Sequence, residues 1–290
     1  MVSIVICSRK CSISKELNQN LDETIGCDYE LIVIDNSDNK YSIFQAYNKG
    51  LRKSRYAIVC FIHEDILFHT IGWGDSLIQI FLKSNFRLLG VAGSRVKSDV
   101  PSGWWEQPKD SLVVNIIQHR LDGSREHINK GFNGKQDLEN VSVLDGVFLA
   151  FKKDSTLWFN EKLSGFHNYD LSFCIDTLNA GYQIGVINNI LIEHFSNGRI
   201  DNSWVNSSHR FHLEYRDSLP VSINNYRLTL GQKVQQLKRF MFHCKNSGNI
   251  KLVLYYWLKL FRRKPFSGEN LKYIGYFMRF TGHKISKKWN

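Results

Sequence analysis

Short apolar runs separated by amphipathic stretches set the pattern of the first two hundred residues. Residues 3–7, 30–35, 56–62 and 88–92 are continuous apolar runs of strand length, as expected of strands buried on both faces. Between them, residues 14–24, 42–53 and 73–83 are helical candidates, and in the second Phe44, Tyr47 and Leu51 recur at helical spacing. The alternation predicts an α/β fold, a mostly parallel open sheet flanked by helices. Ligands of such sheets bind beyond the C-terminal ends of the strands. The segments that follow these runs, Cys7-Ser8-Arg9-Lys10, Asp35-Asn36-Ser37-Asp38-Asn39 and His63-Glu64-Asp65, are therefore where a site is expected.

From Gly93 to about Gly134 the alternation gives way to a stretch containing Pro101-Ser102-Gly103-Trp104-Trp105 and a hairpin-like Leu121-Asp122-Gly123-Ser124. Residues 141–152 read as one strand interrupted at Asp145-Gly146, where glycine permits a bulge or a close ligand approach. A helix is predicted over 169–180, with Leu171, Cys174, Ile175 and Leu178 on one face and Gly181 as its stop. A strand at 183–187 and an apolar segment at 191–194 close this part. After about Trp204 the character changes to basic amphipathic helix, so a main domain over 1–204 and a mainly helical region over 205–290 are expected.

Composition narrows the class. The 290 residues are 43% hydrophobic and 22% charged with only 4 prolines, which excludes a disordered chain and a staple-dependent mini-protein. The net charge of +11 is concentrated: from Val205 onward 17 Lys and Arg face 3 acids, leaving the first 204 residues slightly acidic. Such asymmetry suits a polyanion or an anionic membrane surface, and equally a solvated helical face. The six cysteines form no CxxC pair and read as reduced thiols. The chain starts directly on strand-like residues, and no apolar run reaches the 18–20 residues or so of a spanning helix. A cytoplasmic protein is expected, held peripherally at the inner face of the plasma membrane if the basic region meets lipid.

His63-Glu64-Asp65 brings two carboxylates and an imidazole to the end of a buried strand, which suits a divalent cation such as Mg²⁺ or Mn²⁺. It also suits a solvated loop in which Asp65 caps a helix. A diphosphate leaving group builds negative charge that a metal on Asp65 could neutralise, and His194 could complete the coordination or be structural. Asp170, at a helix start, could serve as general base for an attacking hydroxyl, or simply favour the helix dipole. Asp35 could accept from a nucleotide base or ribose, and an Asx turn explains it as well.

The ordered set SIVICSRK (3–10), ELIVIDNSDN (30–39), AYNKGLRKSRYAIVCFIHEDILF (46–68), VLDGVFLAFKK (143–153), FHNYDLSFCIDTLNAGYQIGVI (166–187) and HFSNG (194–198) resembles the nucleotide-diphospho-sugar glycosyltransferases of the GT-A fold. Within their inverting family 2 group it is most similar to the glycosyltransferase-like family of streptomycin-biosynthesis-type domains. The resemblance covers roughly residues 1–200. It implies that Ser8, Arg9 and Asp35 line a nucleotide pocket and that His63-Glu64-Asp65 replaces an Asp-x-Asp type of metal motif, with Asp65 the ligand. It further implies Asp145 near donor sugar or acceptor, Asp170 as base, His194 as second metal ligand, and Trp104 and Trp105 as an acceptor platform. Those two rings could instead pin their loop to the core. His63 and Ser172 depart from the family pattern, since relatives often carry acids at both positions.

The implied reaction is a single displacement from a nucleotide-diphospho-sugar donor onto a glycan or lipid-linked acceptor hydroxyl, with a divalent metal, in surface-glycan or glycoconjugate synthesis. A sugar nucleotidyltransferase would want a glycine in the Cys7–Cys11 stretch, which has none. A degenerate nucleotide-sugar-binding or membrane-associated scaffold is the non-catalytic alternative. Nucleic acid is not an expected partner, because no recognised binding motif accompanies the charge.

Overall fold

The structure is a computed structural model that describes residues 1–134, 137–268 and 270–275. Strands β1 (Val2–Ser8), β2 (Tyr29–Asp35) and β3 (Ile58–Ile62) are parallel, with β1 between the other two. Val2, Ile4 and Ile6 enter one core and Val5 the other, which is why the run is apolar at successive positions. Helices α1 (Lys15–Thr24) and α2 (Ile43–Lys53) make the crossovers. Ser14 accepts the Leu17 N–H, and Ser42 forms a reciprocal capping box with Gln45. Each such cap contributes about 1 kcal/mol.

Beyond β3 the chain leaves this sheet. β4 (Ile66–Phe68) belongs to a second sheet, α3 (Trp73–Lys83) returns to β5 (Phe86–Gly90) in the first, and β6 (Ala92–Ser94) is again in the second. A short β7 (Val96–Lys97) follows, then the hairpin of β8 (Leu112–His119) and β9 (Arg125–Lys130), turned at Gly123. β10 (Leu138–Asn140), β11 (Val143–Leu144) and β12 (Phe148–Lys152) lead to α4 (Tyr169–Asn179), β13 (Gln183–Ile187) and β14 (Ile192–His194). The first sheet has the order β10-β13-β5-β12-β3-β1-β2, and the second β11-β6-β8-β14-β4 with β9 paired to β8.

Two expectations change here. Residues 141–152 are not one interrupted strand: β11 lies in the second sheet and β12 in the first, and Asp145-Gly146 is the step between them. The Asp145 N–H bonds the Ala92 carbonyl, whereas the Val147 carbonyl accepts from His63. The sheet is also mixed. β2-β1-β3 and β13-β5 are parallel, but β12 runs antiparallel to both of its neighbours, as β10 does to β13. β12 follows β11 with no helix between, and a parallel entry would need a crossover of a dozen residues or so.

Helix α5 (Asn202–Glu214) contains the expected boundary near residue 205. Its Phe211, with Tyr215 and Leu219 beyond it, packs into the main core beside Tyr169 and Phe173. After β15 (Val221–Ser222), which pairs with β7, helices α6 (Leu230–Asn246) and α7 (Ile250–Arg263) bury Leu237, Phe240, Tyr256 and Leu260 against Val100, Trp204 and Val205. Residues 276–290 of the expected C-terminal region lie outside the described residues. All six cysteines are free, and among the described residues no helix is long and apolar enough to cross a membrane.

Candidate active site

The site lies in the crease where the chain passes between the two sheets. His63, Glu64 and Asp65 form the step from β3 to β4, and the His63 N–H bonds the carbonyl of Val147 in the step from β11 to β12, at 3.1 Å. His194 ends β14 opposite Ile66 of β4 and Gln118 of β8, and the Phe195 N–H bonds the Asp65 carbonyl. Three segments distant in sequence are thereby fastened together by backbone pairing. One ligand atom each from His63, Asp65 and His194 lie within 4.8 Å of one another. Asp65 Oδ1 is 3.8 Å from His63 Nδ1 and 3.7 Å from His194 Nε2.

The hydrogen-bond network assigns the tautomers. Tyr169 Oη donates to the Gly146 carbonyl at 3.0 Å, so its 2.8 Å contact with His63 Nε2 is one in which the imidazole donates. His63 Nδ1 then keeps its lone pair, facing Asp65. Gln118 Nε2 donates to the carbonyls of His119, His194 and Ser196, which turns Oε1 toward His194 Nδ1 at 3.0 Å. His194 accordingly carries its proton on Nδ1 and offers Nε2. Burial, then the neighbouring His194, hold His63 below the usual imidazole pKa, so it is neutral near pH 7. Two imidazole lone pairs and a carboxylate, each ring anchored through its far nitrogen, are a donor set that fits a divalent transition metal.

Asp170 stands in the first turn of α4 and accepts from the Gly146 and Leu171 N–H groups at 3.1 and 2.9 Å. Burial, and after it the charge of Asp145, raise its pKa to about 7. A carboxyl group poised there can take a proton near neutral pH. Asp145 is fully engaged instead: Oδ2 accepts from the Trp104 indole at 2.6 Å and Oδ1 from the Val147 N–H at 2.8 Å. Trp104 packs on both cores, whereas Trp105 is 45% exposed and meets Trp104 edge-on. Ser172 is buried, its hydroxyl donating to the Tyr169 carbonyl.

At the ends of β1 and β2, Ser8 and Asp35 are register partners. Ser8 is buried and donates to Glu64 Oε2 at 2.6 Å, so Glu64 turns toward the first strand and away from the two histidines. The Arg9 N–H reaches the same carboxylate, leaving the Arg9 side chain exposed. Asp35 is exposed and accepts the Ser37 N–H and hydroxyl through Oδ1. Beside it lies a cleft of about 330 Å³ that Lys49 and Lys53 also line.

Tyr169 and Gln118 were not singled out by the sequence, whereas Gly146 was, as a place for a bulge or a close approach. A β-carbon at Gly146 would sit 2.1 Å from Tyr169 Oη, so only glycine leaves room for the hydroxyl that orients His63. The signal for Gly146 was present in its Asp-Gly pair. Tyr169 and Gln118 carry no local signal, because strand register and a helix start bring them to the histidines.

Comparison with known proteins gives a single family. Among curated proteins no significant match is found. Solved structures that resemble the chain include A197 from STIV (11% identity, TM-score 0.37, 79% of this chain and 97% of that one). Another is GalNAc-T7 with UDP, GalNAc and Mn²⁺ (9% identity, TM-score 0.46, 75% and 49%), of whose length this chain spans about half. A third is S. aureus TarS 1-349 in complex with UDP (13% identity, TM-score 0.45, 83% and 70%). The model of the glycosyltransferase-like family matches residues 3–220, which include every side chain of the crease and α5. The match spans well over half of the 290 residues, and the chain, with its central sheet flanked by helices, belongs to the glycosyltransferase-like family.

Proposed function

We propose that the protein is an inverting glycosyltransferase that moves a sugar from a nucleotide-diphospho-sugar to an acceptor hydroxyl. The observation that carries this reading is the His63–Asp65–His194 cluster at the end of β3, whose tautomers leave two nitrogens and a carboxylate turned toward one point. These three residues would hold a divalent cation, Mn²⁺ in preference to Mg²⁺ because two of the donors are imidazoles. When bound, the cation supplies positive charge to a departing nucleoside diphosphate. Asp35 accepts from the nucleoside, and Ser8 with the Arg9 backbone shapes the floor beside it through Glu64. Asp170 takes the proton of the attacking acceptor hydroxyl, since its pKa of about 7 keeps a useful fraction ionised. The acceptor oxygen forms its bond to the anomeric carbon opposite the departing nucleoside diphosphate, the base takes its proton, and this single displacement without a covalent nucleophile inverts the anomeric centre.

Trp105 offers an exposed aromatic face to the acceptor sugar, and Asp145 holds Trp104 and the loop that carries both rings. The acceptor is a surface glycan or a lipid-linked precursor, with the basic C-terminal region meeting an anionic membrane surface. A division into a catalytic unit over 1–204 and a membrane-directed unit over 205–290 goes with this reading.

The deciding experiment is thermal stabilisation of wild type and Asp65→Ala by a panel of nucleoside diphosphates and nucleotide sugars, with and without Mn²⁺. A ligand that binds only the folded state raises its stability by mass action. One nucleotide is expected to stabilise the wild type only with Mn²⁺, and Asp65→Ala to lose that shift. If no nucleotide shifts the wild type under either condition, the donor site is not there and the reading is wrong.

A further inference from the structure

Outside the crease, a strongly basic cavity lies between α5 and α7. It has a volume of about 360 Å³, and Arg216, Lys259, Arg262 and Arg263 line it together with His212 and Asp99. The one carboxylate in its wall is already taken: Asp99 Oδ2 pairs with Arg263 at 2.8 Å and Oδ1 with Lys233 at 3.0 Å. Among the described residues Arg216 pairs only with Asp217, at 3.6 Å with both side chains mostly exposed, and Lys259 sits over the rings of Tyr255 and Tyr256. Among the described residues no acid pairs with Arg262. Behind the wall, Lys97 is buried with its Nζ 2.9 Å from His212 Nε2 and within hydrogen-bond distance of Ser98, Val100 and Ser102, and burial lowers its pKa to about 7. Positive charge therefore accumulates on one side of this cavity, from Arg216, Lys259 and Arg262.

The adjoining face of α7 is apolar and exposed. Leu254, Leu258 and Phe261 recur at i, i+4 and i+7, with Leu258 48% and Phe261 43% exposed, while Leu252, Val253, Tyr256 and Leu260 face the core. At 100° per residue, Arg262 and Lys259 fall between the apolar stripe and the cavity. A charged group that entered the cavity would thus have an apolar surface directly beside it.

We propose that the α5–α7 cavity is a phosphate site that takes the headgroup of an anionic membrane lipid, with Arg216 and Arg262 as its contacts and the Leu254–Leu258–Phe261 stripe lying against the acyl boundary. Guanidinium groups match phosphate oxygens in pairs, and an apolar stripe flanked by cations is the pattern of a helix lying in a bilayer interface. None of these residues belongs to the candidate active site. The proposal deepens the membrane reading above and is independent of the transfer reaction.

The test is co-sedimentation of the full chain with phosphatidylglycerol and with phosphatidylcholine vesicles, alongside calorimetric titration with inorganic pyrophosphate. Compared are wild type, Arg216→Ala/Arg262→Ala, Leu258→Asp and the equally charge-reduced Lys83→Ala/Lys130→Ala. All four substituted basic residues are exposed, and equal melting temperatures verify that the variants fold. The wild type is expected to bind phosphatidylglycerol selectively, the cavity variant to lose affinity by about tenfold or more, and the charge control to stay within about threefold. Leu258→Asp is expected to weaken vesicle binding and leave pyrophosphate binding intact. Equal losses in the cavity variant and the control overturn the cavity while leaving a diffuse membrane surface. Pyrophosphate binding without vesicle binding overturns the lipid source, and no vesicle binding by wild type overturns the membrane reading as a whole.

Discussion

Tyr169 stands behind His63, accepting its Nε2–H at 2.8 Å and donating its own hydroxyl proton to the Gly146 carbonyl at 3.0 Å. The buried tyrosine ring is packed edge-on against Phe44 and Tyr47, so the hydroxyl is held in place and the imidazole with it. Partners of this kind, one bond removed from a metal ligand, typically govern affinity by about 10–100-fold. Tyr169→Phe keeps the ring packing and deletes the bond. Mn²⁺ affinity measured by calorimetry is expected to fall within that range while the melting temperature of the metal-free protein changes little. Unaltered affinity would mean that His63 is not oriented by Tyr169.

Gly146→Ala attacks the same relationship from the other side. The added β-carbon would lie 2.1 Å from Tyr169 Oη and must push the ring away, against a core that has little room to give. Both stability and Mn²⁺ affinity are expected to drop. The double variant Gly146→Ala/Tyr169→Phe is expected to recover part of the stability and none of the affinity, which a double-mutant cycle measures.

Asp170→Asn removes the proposed base and leaves the proposed donor site in place. The loss in kcat is expected to be about 10²–10⁴-fold, with the nucleotide-induced thermal shift retained. For wild type, kcat/KM is expected to rise with pH through about 7, because a base acts only when ionised and burial raises the pKa of Asp170, the proposed base, to about 7. An acid limb with a midpoint near 4 would show that another group takes the proton.

The raised pKa also has a stability consequence with a definite sign. A carboxyl whose folded pKa lies above its unfolded value binds its proton more tightly when folded, so its ionisation destabilises the fold as pH rises between the two values. Below pH 4 Asp170 is neutral in both states, and above about pH 7 the full cost is present. Asp170→Asn is therefore expected to gain melting temperature relative to wild type on going from pH 5 to pH 8. A difference that stays flat across that range would place the carboxylate in a well-solvated setting.

How far the sequence carried depends on distance along the chain. β1, β2, β3 and α2 were legible because continuous apolar runs and the Phe44–Tyr47–Leu51 spacing are local signals. The split of residues 141–152 was not, because nothing local says that Val143 pairs with Ser94 while Phe148 pairs with Ile62. For the same reason His63, Asp65 and His194 could be named one by one, but not the Gln118 and Tyr169 bonds that decide which nitrogen each imidazole offers. Glu64 was the least legible residue of the tripeptide. Its side chain turns to Ser8, a contact across 56 positions.

The paired tryptophans separate a packing role from a binding role. Trp104 contributes to both cores and gives its indole proton to Asp145 at 2.6 Å, so Trp104→Phe leaves a carboxylate without its donor and is expected to cost about 1–3 kcal/mol of stability. Trp105 meets Trp104 edge-on and Trp204 at a tilt and is 45% exposed, so its removal costs the fold far less. If its outer face receives an acceptor sugar, Trp105→Ala raises the acceptor KM several-fold at unchanged donor binding, and Trp105→Phe restores most of it because an aromatic face remains. Both variants are read by steady-state kinetics at saturating donor and by thermal melting. Trp105→Ala with normal acceptor kinetics and a lowered melting temperature would assign both rings to packing, and the acceptor would then have to be held by another part of the crease.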